Sequence, residues 1–425
     1  MRVASVAAAL LMALMPCANS FGYSVLTHEE IVDLAWTAEM KPLVLARFPG
    51  LTPDQLKDAH AYAFGGSVIQ DLGYYPFGSK EFSNLTHYVR SGDFVAELLR
   101  ESQDANEYAF ALGALSHYAA DIDGHPAVNA SVAIGYPRLR AKYGRSVTYA
   151  EDTAAHLKTE FGFDTLQVEK NRYATEQYHD FIGFKVSEPL LERVFPVVYG
   201  LPLKDVLAHE DLAIGSYRWA ISRLIPEMTR VALEMRSKDP GPERSNAARR
   251  KFLYRLSRSD YEREWGKTYQ RPGLGTRILA ALLEIMPRIG PFKGLGFNRP
   301  TPQTEDLYIK SIDKTTDTYR SLLKQVGDDN LSLPNDDLDS GAPTRPAEYT
   351  LADKTYAALL AKLAESKFAG TSPALRQNIL DFYADTAAPV ETKKDPARWQ
   401  AVETNLDSLR AASPAPVAEA DSTQK

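Results

Sequence analysis

Cysteine is almost missing from this chain: there is one among 425 residues, Cys17. It falls inside an N-terminal stretch that reads as a secretory signal peptide over residues 1–20. Arg2 gives the positive start, Val6 to Met15 the apolar core, and Ala18-Asn19-Ser20 the small-residue cleavage site. Pro16 beside Cys17 fits poorly with a lipoprotein signal. Cleavage after Ser20 leaves a mature protein with no cysteine, so no disulfide can hold it, and core packing must, with or without metal. Export without disulfides fits a secreted or periplasmic protein. Long apolar runs are also lacking. The leader core is too short for a membrane span, and no later stretch approaches that length. A large excess of positive charge is absent, the net charge being −6, which argues against a nucleic-acid grip spread over the whole surface. Period-two alternation is nearly absent too, which excludes an extensive sheet.

What remains is helical patterning, and it predicts an all-α main body. Thr27 with Glu30 three residues on reads as a capping box, followed by helical periodicity to about Arg47. Thr52-Pro53-Asp54 opens a second helix that ends near Gly65-Gly66, and Asp71 lies near a break in regular structure. His87 falls just before a helix expected from Asp93 to Ser102. A central helix is expected from Asp104 to Asp123, ending around Gly124 and Pro126. After a looser stretch at 135–145, helices are expected around His156, from Tyr173, from Pro189 and from Leu203. The segment 21–238 is thus read as one helical domain. Residues 239–332 read as a basic and amphipathic extension, with a helix over Glu305 to Gln325. The acidic, proline-containing stretch 333–349 reads as a linker, 350–411 as a small helical segment and 412–425 as a disordered tail.

The chemistry concentrates in the first domain. Six of the eight histidines fall within residues 28–156. His117 and Asp121 are four apart, which places them on one helix face where both can hold one cation. His125 follows four further on, at the expected helix end, where it can turn toward a second metal. His156 and Glu160 repeat the four-residue spacing. With His28, Asp71, His87 and the new α-amine of Phe21, this set of His, Asp and Glu ligands is large enough for three zinc ions if Asp121 bridges two of them. His60, among Ala59, Ala61, Tyr62 and Ala63, reads as a packed or solvent-facing residue rather than a ligand, as does His179, and His209 reads as helix surface. Tyr74 and Tyr75 read as core by default.

The order of these motifs resembles the zinc-dependent phospholipase C superfamily, which also holds single-strand nucleases and the glycosylphosphatidylinositol-specific phospholipase D. The resemblance spans about residues 21–200. It implies one zinc on Asp71, His87, His117 and Asp121, and a second on His125, His156 and Glu160. A third would sit on His28, the Phe21 terminus and the far oxygen of Asp121. Two to three zinc ions per chain are therefore expected, with Asp71 either a ligand or the general base. Two departures stand out. Three residues separate Asp121 from His125 where the bacterial phospholipases and the nucleases have five, which is closer to the glycosylphosphatidylinositol-specific enzyme. Phe21 stands where the family typically has Trp.

The expected activity is hydrolysis of phospholipid head-group phosphodiesters. The alternatives are D-type cleavage of glycosylphosphatidylinositol-like lipids, single-strand nuclease action, and a non-catalytic metal-stabilised binding protein. No obvious Lys/Arg stripe interleaved with aromatics marks the first domain for strand binding. Peripheral membrane contact is expected through 277–297. There the apolar run Ile278 to Met286 follows a stretch, Arg244 to Arg277, with ten Lys or Arg against three acids.

Overall fold

The computed structural model describes residues 25–75, 77–169, 184–219 and 300–412. The expected leader, Phe21, His179, the helix expected from Tyr173, the stretch 277–297 expected to contact a membrane and the tail from 413 lie outside the described residues. So does the part of the helix expected from Leu203 that runs past 219. Within them the protein is almost wholly helical. The one pair of strands is Asp336–Asp337 (β1) against Ala342–Pro343 (β2), antiparallel, with Asp336 opposite Pro343. The all-α expectation holds.

The molecule is built on one long helix, α6, Ala105–Gly135. Asp104 caps it by accepting from the N–H groups of Asn106 and Glu107 at 2.8 and 2.9 Å. Before it come α1 (Val25–Ala35), continued by a π-turn at Trp36–Met40, then α2 (Lys41–Arg47) and α3 (Pro53–Gly66). A 3₁₀ turn at Ile69–Tyr74 leads to α4 (Lys80–Tyr88) and α5 (Ser91–Glu101). After it come α7 (Pro137–Tyr143), α8 (Thr153–Glu169), α9 (Glu188–Tyr199), α10 (Leu203–Val206) and α11 (Glu210–Trp219). The C-terminal part supplies α12 (Pro302–Gly327), α13 (Thr350–Glu365), α14 (Pro373–Phe382) and α15 (Pro396–Ala411).

Alanines and glycines let other helices lie close on α6. A Cβ on Gly113 would stand 2.1 Å from the Ala63 carbonyl of α3, so the two backbones meet where only glycine fits. On another side α12 packs along α6, with the Tyr319 hydroxyl donating to the Leu112 carbonyl at 2.9 Å and Lys314 paired with Asp123 at 2.7 Å. Every residue of α1 is buried, polar ones included. Its start is fixed from α8: Asp164 accepts from the Leu26 N–H at 3.1 Å and from the Thr27 hydroxyl at 2.9 Å.

Several expectations are corrected here. Thr27 is not an N-cap; the helix begins before it and Asp164 takes the capping role. His87 precedes the helix expected after it, now α5, but itself lies in a further helix, α4, and 137–143 is helical. The central helix does not stop at Pro126. Proline removes only its own N–H and the bond to the Ile122 carbonyl, and the surrounding packing carries the helix nine residues further, to Gly135. Nor is α12 an appendage, since its buried tyrosines complete the core of the first domain. The stretch 333–349 is no solvated linker: Asp337, Leu338 and Asp339 are buried, because tyrosine hydroxyls and backbone N–H groups satisfy their carboxylates.

Gly341, at φ +68°, lies directly over the Ile122 carbonyl that Pro126 leaves without its helical donor; a Cβ there would sit 2.3 Å from that oxygen. Gly341→Ala should therefore destabilise the protein by about 2 kcal/mol or more, from the positive φ and the clash together. Urea unfolding followed by circular dichroism checks it.

Candidate metal centre

Two helix ridges and three single side chains build the site. On α6, His117, Asp121, His125 and Asn129 follow one another at four-residue steps, so they form one continuous row drifting slowly around the helix. The row persists because the helix runs on through Pro126. On α8, His156, Glu160 and Asp164 form a second such row. His28 comes from α1, Asp71 from the 3₁₀ turn and His87 from α4. All eight predicted side chains, His28, Asp71, His87, His117, Asp121, His125, His156 and Glu160, are gathered and buried, none more than 1% exposed.

Asp121 stands at the middle. Its Oδ1 faces His28 Nε2 at 3.6 Å, and its Oδ2 faces His117 Nε2 at 3.1 Å and His87 Nε2 at 3.4 Å. Asp71 Oδ1 lies 3.4 Å from the same His87 nitrogen. Beyond His125, Glu160 Oε1 lies 2.5 Å from His156 Nδ1. Three groupings of closely spaced ligand atoms result: His28, His117 and Asp121; Asp71, His87 and His117; His125, His156 and Glu160.

The far nitrogens of the imidazoles are held by backbone. His87 Nδ1 bonds the Ser83 carbonyl at 2.7 Å, His117 Nδ1 the Ser67 carbonyl at 2.9 Å, and His125 Nδ1 the Leu338 carbonyl. A carbonyl only accepts, so each Nδ1 carries a proton and each ring turns its Nε2 inward. Inside, Nε2 of His117 and His125 and both oxygens of Asp71, Asp121 and Glu160 are buried with no hydrogen-bond partner among the described residues. Such groups are costly unless a cation is shared between them. Four ligands about 2.1 Å from a tetrahedral zinc stand about 3.4 Å apart. The separations around Asp121 and His87 match that spacing, so the residues fit zinc.

Burial and charge set the protonation states of the metal-free cluster. The Asp121 carboxyl loses solvent, which opposes its charge, but the imidazoles of His117, His125 and His87 close around it hold it well below the carboxylate range. Burial opposes a charge on His87 too, yet the carboxylates of Asp121 and Asp71 beside its Nε2 hold it well above the ordinary imidazole value. Burial, then the neighbouring His117, pushes His28 down. Burial raises Asp71, and raises Glu160 well above its ordinary value with Asp71 and Asp339 adding to the rise.

Residues 27–208 match the model of a family described as zinc dependent phospholipase C. The match covers 182 of the chain's 425 residues and takes in all eight of the gathered side chains. No curated protein and no solved structure matches the chain. Among the described residues, no helix is long and apolar enough to cross a membrane.

The site also draws on residues that sequence reasoning missed. Asn129 accepts from His156 Nε2 at 2.8 Å and donates to the Asp339 carbonyl at 3.1 Å. Continuing the four-residue row past Pro126 would have found it. Asp164 continues the row of His156 and Glu160 in the same way. Leu338 and Asp339 carry no local signal, since they reach the site only through the fold. Tyr74 lies 5.9 Å from the His87 ring and Tyr149 5.9 Å from His156, whereas Tyr75 packs on Tyr217. His60 is packed rather than solvent-facing, stacked on Trp36 at 4.0 Å and paired with Asp33 at 3.1 Å. His209 is exposed, on a turn before α11.

In chelator-treated protein, the His87–Asp121 pair contributes its full stabilisation between about pH 4 and pH 6.5, the ordinary carboxylate and imidazole values of an unfolded chain. The contribution is lost as pH falls through the depressed Asp121 value and as it rises through the raised His87 value. The stability difference between wild type and Asp121→Asn, measured by denaturant unfolding across pH, should be widest inside that window.

Proposed function

We propose that this protein is an exported zinc-dependent phosphodiesterase that hydrolyses phospholipid head groups by C-type cleavage, with a trinuclear site. The observation that carries the reading is the split of Asp121, one oxygen toward His28 and the other toward His87 and His117. A carboxylate placed so is suited to bridge two cations. His87, His117 and Asp71 would hold one of them, His28 another, and His125, His156 and Glu160 a third. Zinc at these positions would act as a Lewis acid on the phosphoryl group and make water more acidic.

The chain's own residues have separable tasks. Asp121 fixes the spacing of the first two groupings. Asp71 offers Oδ1 to the His87 side, and its second oxygen is assigned as acceptor of the attacking water's proton. Burial raises the Asp71 pKa, which suits a group that takes up a proton during turnover. The Phe21 amine completes the His28 site in this reading, and the leader pattern at 1–20 supports its release on export. Strand binding would call for exposed stacking faces. Phe77 is the one aromatic among the exposed large hydrophobics of the described residues, which favours the lipid reading over the nuclease.

Assays on phosphatidylcholine, glycosylphosphatidylinositol and single-stranded DNA test the reading. Zinc-replete protein should release diacylglycerol and a phosphorylated head group. Phosphatidic acid would show D-type cleavage, DNA hydrolysis a nuclease, and zinc binding without turnover a binding protein. Asp71→Asn should lower kcat by about 10²–10⁴-fold. By elemental analysis, Asp121→Asn should lose more than one zinc equivalent, while Asp33→Asn, a buried acid paired with His60 outside the cluster, should lose none.

A further inference from the structure

The hairpin of β1 and β2 lies well beyond the matched segment in sequence, yet its turn enters the metal centre. The Asp337 carbonyl accepts from the Gly341 N–H at 2.8 Å, and the Asp337 carboxylate accepts from the Asp339 N–H and the Ser340 hydroxyl, each at 2.9 Å. These bonds lock the turn and present Leu338 and Asp339 at its tip. The Leu338 N–H donates to the His87 carbonyl at 3.1 Å, and its own carbonyl accepts from His125 Nδ1. The Asp339 carbonyl accepts from Asn129 Nδ2 at 3.1 Å. The Asp339 carboxylate is held from two sides, by the Tyr88 hydroxyl at 2.7 Å and the Tyr349 hydroxyl at 2.5 Å. Leu338, Asp339 and Asn129 are all buried.

These contacts fix proton positions two steps away. The Asp339 carbonyl can only accept, so the amide NH₂ of Asn129 must face it and the amide oxygen must face His156. That oxygen also only accepts, so His156 must carry its proton on Nε2 and turn a bare Nδ1 toward Glu160. The Leu338 carbonyl imposes the opposite tautomer on His125, with the proton on Nδ1 and a bare Nε2. Two histidines of one grouping thus need opposite tautomers, and a single dipeptide sets both.

We propose that the Leu338–Asp339 tip sets the tautomers of His125 and His156, with Asn129 as the positioning residue that relays it to His156. The assignment rests on the metal-binding reading of these histidines. It makes the hairpin part of the centre: without the tip, the neutral His156 ring is free to place its proton on the nitrogen that faces Glu160, where it blocks a cation.

Long-range ¹H–¹⁵N NMR of the full-length, chelator-treated wild type reads the tautomers directly. His125 should be protonated on Nδ1 and His156 on Nε2; the reverse at either ring overturns the proposal. Asn129→Leu removes the relay while keeping a similar volume. It should abolish the His156 preference, leave that of His125, and weaken one zinc equivalent by about 10–100-fold in chelator competition with the other equivalents unchanged. Asn129→Asp keeps an acceptor for His156 Nε2 and should retain the Nε2–H tautomer. Wild-type affinity for every zinc equivalent in a folded Asn129→Leu protein would overturn the relay. A wild type with the stated tautomers but no zinc uptake would uphold the tip's role and overturn the metal reading instead.

Discussion

The Asp121 carboxylate, buried among three imidazoles, is the constraint that the rest of the structure answers to. An ionised acid in so dry a place is tolerable only with opposing charge close by, and here three helices must each deliver one nitrogen to it. Such delivery demands that α1, α4 and α6 be fixed to within fractions of an ångström. The glycine contact between α3 and α6, the capping of α1 by Asp164 and the packing of α12 all serve that placement.

The polar interior is organised in two layers. The inner one, of imidazole nitrogens and carboxylate oxygens without hydrogen-bond partners, is suited to cations. The outer one consists of backbone carbonyls of Ser67, Ser83 and Leu338 and the amide of Asn129, each of which acts on the far side of a ring. Outer groups of this kind decide which nitrogen is bare, and so which direction a ligand faces. That three of them are backbone explains why their identity cannot be read from residue types.

The candidate site was largely legible before the fold. Four-residue spacing is a direct consequence of helix geometry, so His117 with Asp121 and His156 with Glu160 announce shared faces on their own. Reading Pro126 as a stop hid the rest of the row and with it Asn129. Proline's local cost is real, but it is one lost hydrogen bond against a helix buried on nearly every side. The acidic, proline-containing composition of 333–349 misled for a similar reason: composition reports what a segment prefers when solvated, and this one is not solvated.

The sequence by itself determined the helical class, the ligand types, their grouping along two helix rows and their order along the chain. These depend on local periodicity and on the chemistry of single side chains. Only the tertiary structure decided that Asp121 turns its two oxygens to different histidines, that α12 belongs to the core, and that Leu338 and Asp339 reach the candidate metal centre. Those facts come from contacts between segments separated by up to about three hundred residues. Such contacts are set by which surfaces exclude water together, and no local pattern encodes them.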